Sequence, residues 1–333
     1  NRPNNETNWL DMNGDFHEFK QNDPRNPIPE INRIFYRDYD EEYFINKAIL
    51  LGAIVASPKS IKEHLGSGYS IGKLKVDNLK ITQKWLKGYA KREIVINSYH
   101  AIESFFRLFF AHVEESECPW IGVEQMKNFK EFKGRIEKLL KREYFKNDHD
   151  KAVAEVLFGN RSMYGNATDD EWAENVKKAV ELVDRFGHDI LNNQDYNVYK
   201  HGAALLDTQF GFRLDDGKVL GADKQDVFMY LSSTTEKTPD KLIKKFSKTF
   251  KFMRWQNRVA STYMASQLMH NMLTLQKLHF KLIEPKKAKI YTFQKHDLNK
   301  ILDGDNKGRI AMPSTVSESL FERHYVTKKK SKN

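Results

Sequence analysis

The sequence predicts a mainly α-helical bundle with a small β-hairpin insertion and additional C-terminal helices. Three observations predict it. Apolar residues recur at spacings of three and four over long stretches, above all 77–114, 169–192 and 255–282, the pattern of helices that bury a broad stripe. A helix-start signal stands before one of them, Thr168 followed three residues later by Glu171. Strand-like alternation with aromatic content occurs at 208–214 and 227–232, with Asp215-Asp216-Gly217 between, which predicts the hairpin.

Taken in order, 1–37 is rich in Asn, Asp and Pro, with Pro24, Pro27 and Pro29 close together, and reads as an irregular arm packed through Trp9, Leu10, Ile31, Ile34 and Phe35. A helix is expected from about Asp38, with Asp40, Glu41 and Glu42 in its first turn, through Ile45 and Leu50 to Ala56. Pro58 then breaks the pattern, and Gly66, Gly68 and Gly72 mark a loop. The first long helix carries Leu79, Trp85, Ile96, Tyr99, Ile102, Phe105, Phe106, Phe109 and Val113 on its apolar face. A polar track of His100, Glu103 and Arg107 runs within it. Glu103 precedes Arg107 by four residues, the spacing of an intrahelical ion pair, which belongs either to a shared polar centre or to a face turned to water.

Pro119 separates that helix from one over 124–145, striped by Met126, Phe129, Phe132, Ile136 and Leu139, and a short helix is expected over 148–158. The segment 159–166 has the composition of a turn, and its Gly and Arg match no phosphate loop. The helix over 169–192 buries Trp172, Val176, Val180, Val183 and Ile190, with His188 read as a partly buried structural residue. After the hairpin, 239–252 reads as a strongly basic helix. The stretch 255–282 reads as a long one with Tyr263, Leu268, Met269, Leu273 and Leu278 towards the core, and 328–332 as a charged, mobile end.

The segment 194–202, Gln-Asp-Tyr-Asn-Val-Tyr-Lys-His-Gly, reads as a short helix with Asn197 and His201 one turn apart on one face, closed by Gly202. An imidazole beside an amide and the cation of Lys200 makes an acid/base site, or equally a polar knot in a bundle.

Bulk composition narrows the function classes. A chain of 333 residues suits one large domain or two smaller ones, and 30% charged with 40% apolar residues is the balance of a soluble globular protein. The single cysteine, Cys118, excludes an internal disulfide and a cysteine-clustered zinc site, which fits a cytoplasmic location. The most apolar stretch, 48–56, is too short to span a bilayer, and no secretory signal is evident, so no membrane role is expected. The net charge of +10 is uneven. Residues 237–333 hold 22 Lys and Arg against 7 Asp and Glu, a balance of +15, and the remainder holds 33 against 38, or −5. Such asymmetry is what a polyanion-binding face produces, and a solvated face with surplus lysines produces it too.

On Tyr196-Asn197-Val198-Tyr199-Lys200-His201-Gly202, and on Tyr99-His100-Ala101-Ile102-Glu103-Ser104-Phe105-Phe106-Arg107 in the earlier helix, the chain resembles the HEPN superfamily over roughly 77–210. That superfamily comprises α-helical bundle proteins among prokaryotic toxins, abortive-infection factors and RNA-processing enzymes. Together with the residue patterns outside that span, the expected organisation is an irregular arm over 1–37, a HEPN-like bundle over 38–206, a β-hairpin over 207–236 and a basic helical region over 237–333 packed on the bundle.

The resemblance implies a metal-independent endoribonuclease, working as a toxin or anti-phage effector with no cofactor. Its partners would be RNA, a second copy of the chain and a defence-system protein. His201 from each of two subunits would act as base and acid, Asn197 would orient the phosphate, Lys200 or Arg107 would supply charge, and Glu103 would complete the track. The arginine usual in the family's helix has no counterpart near His201, since Gln194 and Asp195 stand in that region. That departure keeps open a non-catalytic HEPN-like module binding nucleic acid, nucleotide or a partner protein, and also a structural scaffold. In either nucleic-acid reading the basic last third collects RNA, with Trp255, Tyr263 or Tyr291 available for base stacking.

Overall fold

The computed structural model describes residues 8–10, 16–18, 26–76, 80–115, 117–161, 167–191, 206–208, 212–213, 219–220, 226–237, 241–303 and 315–326. Helices make up most of its regular structure, as the apolar spacing predicts. They are α1 (Ile28–Asp38), α2 (Tyr43–Ala56), α3 (Pro58–Gly66), α4 (Gln83–Glu114), α5 (Pro119–Gln125), α6 (Phe129–Leu140), α7 (His149–Phe158), α8 (Asp169–Leu191), α9 (Trp255–His279) and α10 (Leu298–Asp303).

The organising element is α4, whose 32 residues extend to roughly 48 Å at 1.5 Å per residue. It starts where Thr82 Oγ1 accepts the Trp85 N–H at 3.0 Å. From Ile94 to His112 most of its residues are buried, on more than one face, because other helices surround it. Phe105, Phe106, Phe109 and Phe110 are fully enclosed and continue into Phe132 of α6, Phe158 of α7, Phe186 of α8 and Met264, Leu268 and Met272 of α9 in one apolar core. The C-terminal helix α9 is therefore part of the same packed body as the helices of 38–206. A smaller cluster joins Leu51 of α2 to Ala90 and Ile94 of α4, with Trp255 and Val259 against it.

Close approaches are made by glycine. A Cβ on Gly122 of α5 would stand 3.0 Å from the Cβ atoms of Ala111 and Glu115 and 3.1 Å from Ala111 Cα, so the absent side chain lets α5 lie against the end of α4.

Several elements differ from expectation. The arm over 1–37 contains α1, and Asn8–Leu10 (β1) pairs antiparallel with Phe16–Glu18 (β2). Prolines at 27 and 29 do not exclude the helix, because its first turn lacks internal N–H partners in any case. The helix expected from Asp38 begins at Tyr43, after a break at 39–42. Pro58 ends the preceding helix as expected but also opens α3, and in the stretch read as a loop Tyr69–Ile71 (β3) and Leu74–Val76 (β4) form a hairpin around Gly72, whose φ of +58° suits a residue without a side chain. His188 is exposed, not partly buried.

The largest correction concerns 239–252. That segment is not a helix: Lys241–Met253 is a strand, β9, the centre of an antiparallel sheet. On one side it pairs with Asp226–Lys237 (β8) in unbroken register, Leu242 opposite Lys237 and Phe252 opposite Val227. On the other it pairs with Thr315–Val326 (β10), with an irregularity between Ser319 and Phe321. The basic C-terminal region thus contains two long strands besides its helices. The expected hairpin is present in that Leu206–Thr208 (β5) lies against β8 with Thr208 opposite Val227. Its first strand does not run on to 214 against β8, because Phe212–Arg213 (β6) pairs with Val219–Leu220 (β7) instead.

Candidate functional site

Asn197, Lys200 and His201, the sequence-predicted acid/base group, lie outside the described residues. Glu103 and Arg107 lie within them, one turn apart on α4 as expected. Arg107 Nε and Nη2 donate to Glu103 Oε1 at 2.9 and 2.6 Å, and Nη1 donates to the carbonyl of Met126 just after α5. The guanidinium carbon sits 4.7 Å from the centroid of Phe132 on α6. Glu103 is buried and Arg107 only one-fifth exposed. The pair ties α4, α5 and α6 together, and its charges neutralise each other where solvent does not.

A second polar group was missed in the sequence. His270 on α9 places Nδ1 3.0 Å from Glu41 Oε1, in the turn before α2, and Nε2 3.0 Å from the Lys289 carbonyl. Lys277 Nζ reaches Glu41 Oε2 at 3.4 Å, Thr274 Oγ1 lies 3.3 Å from Nε2, and the Tyr291 ring packs edge-on at 5.0 Å. Both ring nitrogens face acceptors, and only an imidazolium donates from both. The hydrogen bond that its Nδ1–H donates to Glu41 accordingly raises the His270 pKa above its ordinary value, against the opposing effect of burial. Burial pushes the Glu41 carboxyl up, but His270 and Lys277 outweigh it and leave its pKa lowered. The neighbouring Asn271 accepts the Tyr291 N–H at 2.8 Å and donates to the Tyr291 carbonyl at 2.9 Å, so α9 grips 289–291 as a strap. The remaining histidine of note, His112, is fully enclosed. Burial lowers its pKa to about 4, so it stays neutral, with Nδ1 donating to the Leu108 carbonyl at 2.6 Å and Nε2 accepting from the Tyr36 hydroxyl at 3.1 Å.

The surface that fits the charge asymmetry is the β8–β9–β10 sheet. Strand alternation sorts β9 into one row of Leu242, Lys244, Phe246, Lys248 and Phe250, and another of Ile243, Lys245, Ser247, Thr249 and Lys251. In the first row, Lys244 Nζ lies 5.3 Å from the Phe246 centroid and Lys248 Nζ 5.4 Å from that of Phe250, so cations and rings interleave along the strand. Leu231 of β8, opposite Lys248, is 54% exposed, which opens this row to solvent beyond the buried Val227 and Phe250 at its base. The second row leads from β8 into the core through Phe228 and Tyr230, and its Lys245 pairs with Glu236 at 3.0 Å.

Of the aromatic residues expected to stack bases, Trp255 packs on the small α2–α4 cluster, whereas Tyr263 and Tyr291 are exposed. Among the described residues, no group of three or more His, Cys, Asp or Glu is placed to hold a metal ion. No single helix among them is long and apolar enough to cross a membrane. Comparison with protein-family models, with curated proteins and with solved structures finds no match to this chain.

Proposed function

We propose that this chain is an RNA-binding protein whose helical body carries a basic β-sheet as its RNA-holding element. One observation carries the reading: the positive excess of 237–333 includes Lys244 and Lys248 on one face of a single strand, interleaved with Phe246 and Phe250. A row of cations meets the phosphates and releases counterions, and rings between them offer faces to unpaired bases. Binding of a labelled RNA measured from 50 to 300 mM salt tests it. With three to five phosphate contacts the logarithm of affinity falls against the logarithm of salt with a slope of about −2 to −3.5. A slope near zero, or no binding, removes the proposal.

The second reading is the metal-independent endoribonuclease of HEPN type, in a toxin or anti-phage role. It is favoured by the constellation of Asn197, Lys200 and His201 in 194–202, not by Glu103 and Arg107, whose hydrogen-bonding groups serve the α4–α5–α6 junction. His201 would take the proton of a ribose 2′-hydroxyl, and a second His201 from another copy would protonate the leaving oxygen. Structured RNA incubated in EDTA with the protein and with His201→Ala decides it. Cleavage that persists in chelator and is lost in the variant supports the enzyme, and equal cleavage by both refutes it.

A further inference from the structure

The two faces of the sheet are not equivalent, and the difference names both the docking face and the form of RNA it takes. By register, the row of β9 that holds Lys244 and Lys248 also holds Lys237 on β8. Among the described side chains, that row carries three cations and no carboxylate. The other row carries Lys245 and Lys251 with Glu236, whose carboxylate lies 3.0 Å from Lys245 Nζ. This second row also turns Phe228 and Tyr230 into the core, so at that end it is the face by which the sheet is seated on the helices. Towards the other end of β8 both rows meet solvent, the first at Leu231, Thr235 and Lys237 and the second at Thr234 and Glu236.

From this sidedness, and resting on the RNA-binding reading above, we propose that the Lys237, Lys244, Phe246 and Lys248 row docks single-stranded RNA running along β9. Lys244 and Lys248 stand four residues apart, about 13.5 Å at 3.4 Å per residue, with Phe246 midway. On the β8 side short side chains flank that ring, with Ser233 directly opposite it and Thr235 opposite Lys244. A duplex offers such a strip only phosphates and sugars. An unpaired strand offers phosphates to the lysines and a base face to Phe246 and Leu231, so the interleaved row selects the unpaired form.

The test compares charge reversals of equal size on the two faces. Lys244→Glu/Lys248→Glu alters the proposed face and Lys245→Glu/Lys251→Glu the other, both in the full chain with His201→Ala and EDTA so that no RNA is cut. Probes are a fluorescent 20-nucleotide unstructured RNA and a blunt duplex of the same length. The proposal expects the unpaired probe to be bound at least tenfold more tightly than the duplex by the parent protein. It expects the first variant to lose at least tenfold in affinity with a salt slope shallower by about 1.4, and the second to lose less than threefold. Because reversal within a sheet can unfold it, Lys244→Gln/Lys248→Gln and Phe246→Ala are measured beside it, with circular dichroism and thermal unfolding as fold checks. Each is expected to lose several-fold on the unpaired probe.

Equal losses from both faces, or a duplex bound as tightly as the single strand, overturn the docking proposal while leaving RNA binding in place. A parent protein that binds neither probe removes the RNA-binding reading and this inference with it.

Discussion

Replacing His270 with alanine should weaken the protein in a pH-dependent manner whose direction is fixed by the geometry. The imidazole bridges the Glu41 carboxylate and the Lys289 carbonyl, each at 3.0 Å, and so clamps the turn before α2 and the 289–291 strap to α9. A hydrogen bond to a charged group contributes about 1.5–3 kcal/mol. With about a fifth of each side chain exposed, solvent screening lowers this to about 1–2 kcal/mol for the clamp as a whole. His270 has a raised pKa, so its contribution is complete below the ordinary value of 6.5 and fades as pH climbs through the higher native one. Glu41 has a lowered pKa, so its contribution is complete above the ordinary 4.5 and fades as pH falls through the lower native one.

The clamp is therefore at full strength between pH 4.5 and 6.5. Urea unfolding of the parent and of His270→Ala at pH 5.5 and pH 9 measures it. The variant should be about 1–2 kcal/mol less stable at pH 5.5 and closer to the parent at pH 9. Glu41→Gln should abolish most of the pH difference, because the imidazolium then loses its counter-charge while the Lys289 carbonyl remains. A deficit that is the same at both pH values, or larger at pH 9, refutes the clamp as a cationic bridge.

Two further outcomes follow from the packing of α4. Arg107→Met leaves the buried Glu103 without its partner and should cost about 3 kcal/mol in chemical unfolding, whereas Glu103→Leu/Arg107→Met should recover most of that loss; equal costs for single and double variants would show the pair to be unimportant. Gly122→Ala should lower stability by about 1–2 kcal/mol despite alanine's better helix propensity, because the added carbon meets Ala111 backbone at 3.1 Å, and a stabilised variant in thermal unfolding would show that α5 moves aside freely.

Helices set by local signals were legible in the sequence. The Thr168/Glu171 capping box forms as read, with Glu171 N–H donating to Thr168 Oγ1 at 3.2 Å and Thr168 N–H to Glu171 Oε2 at 2.9 Å, and α8 follows at Asp169. Helix α7 starts beside the Asp148 cap, and α9 spans nearly the expected stretch. The ion pair of Glu103 and Arg107 was legible for the same reason, since four residues on a helix fix the neighbours. What the pair does was not: Met126 and Phe132 belong to other helices, and their approach is decided by tertiary packing. The clamp on His270 was invisible, because Glu41 stands 236 residues before Lys277, with which it shares the site, and no local rule relates positions so far apart. Helix α1 was missed because Pro27 and Pro29 read equally well as breakers and as the start of a helix.

The misreading of β9 has a more specific cause, and it bears on function. Lysines at 241, 244, 245, 248 and 251 recur at three and four, which is the period of a basic helix face, and Ile243, Phe246, Phe250 and Met253 supply the matching apolar stripe. A spacing of four, however, is even. It returns a side chain to the same face of a strand as surely as to the same face of a helix, so Lys244 and Lys248, or Phe246 and Phe250, cannot discriminate the two. Odd spacings decide: Lys245 to Lys248 is together on a helix and divided on a strand. In the sheet that division sends Lys245 to Glu236 and leaves Lys244 and Lys248 on the other side. A helix would have gathered all five lysines into one diffuse stripe around a 3.6-residue turn. The strand instead splits them between a face where Lys245 meets Glu236 and a face where Lys244 and Lys248 stand with Lys237, and this separation makes a side-specific charge reversal a meaningful experiment.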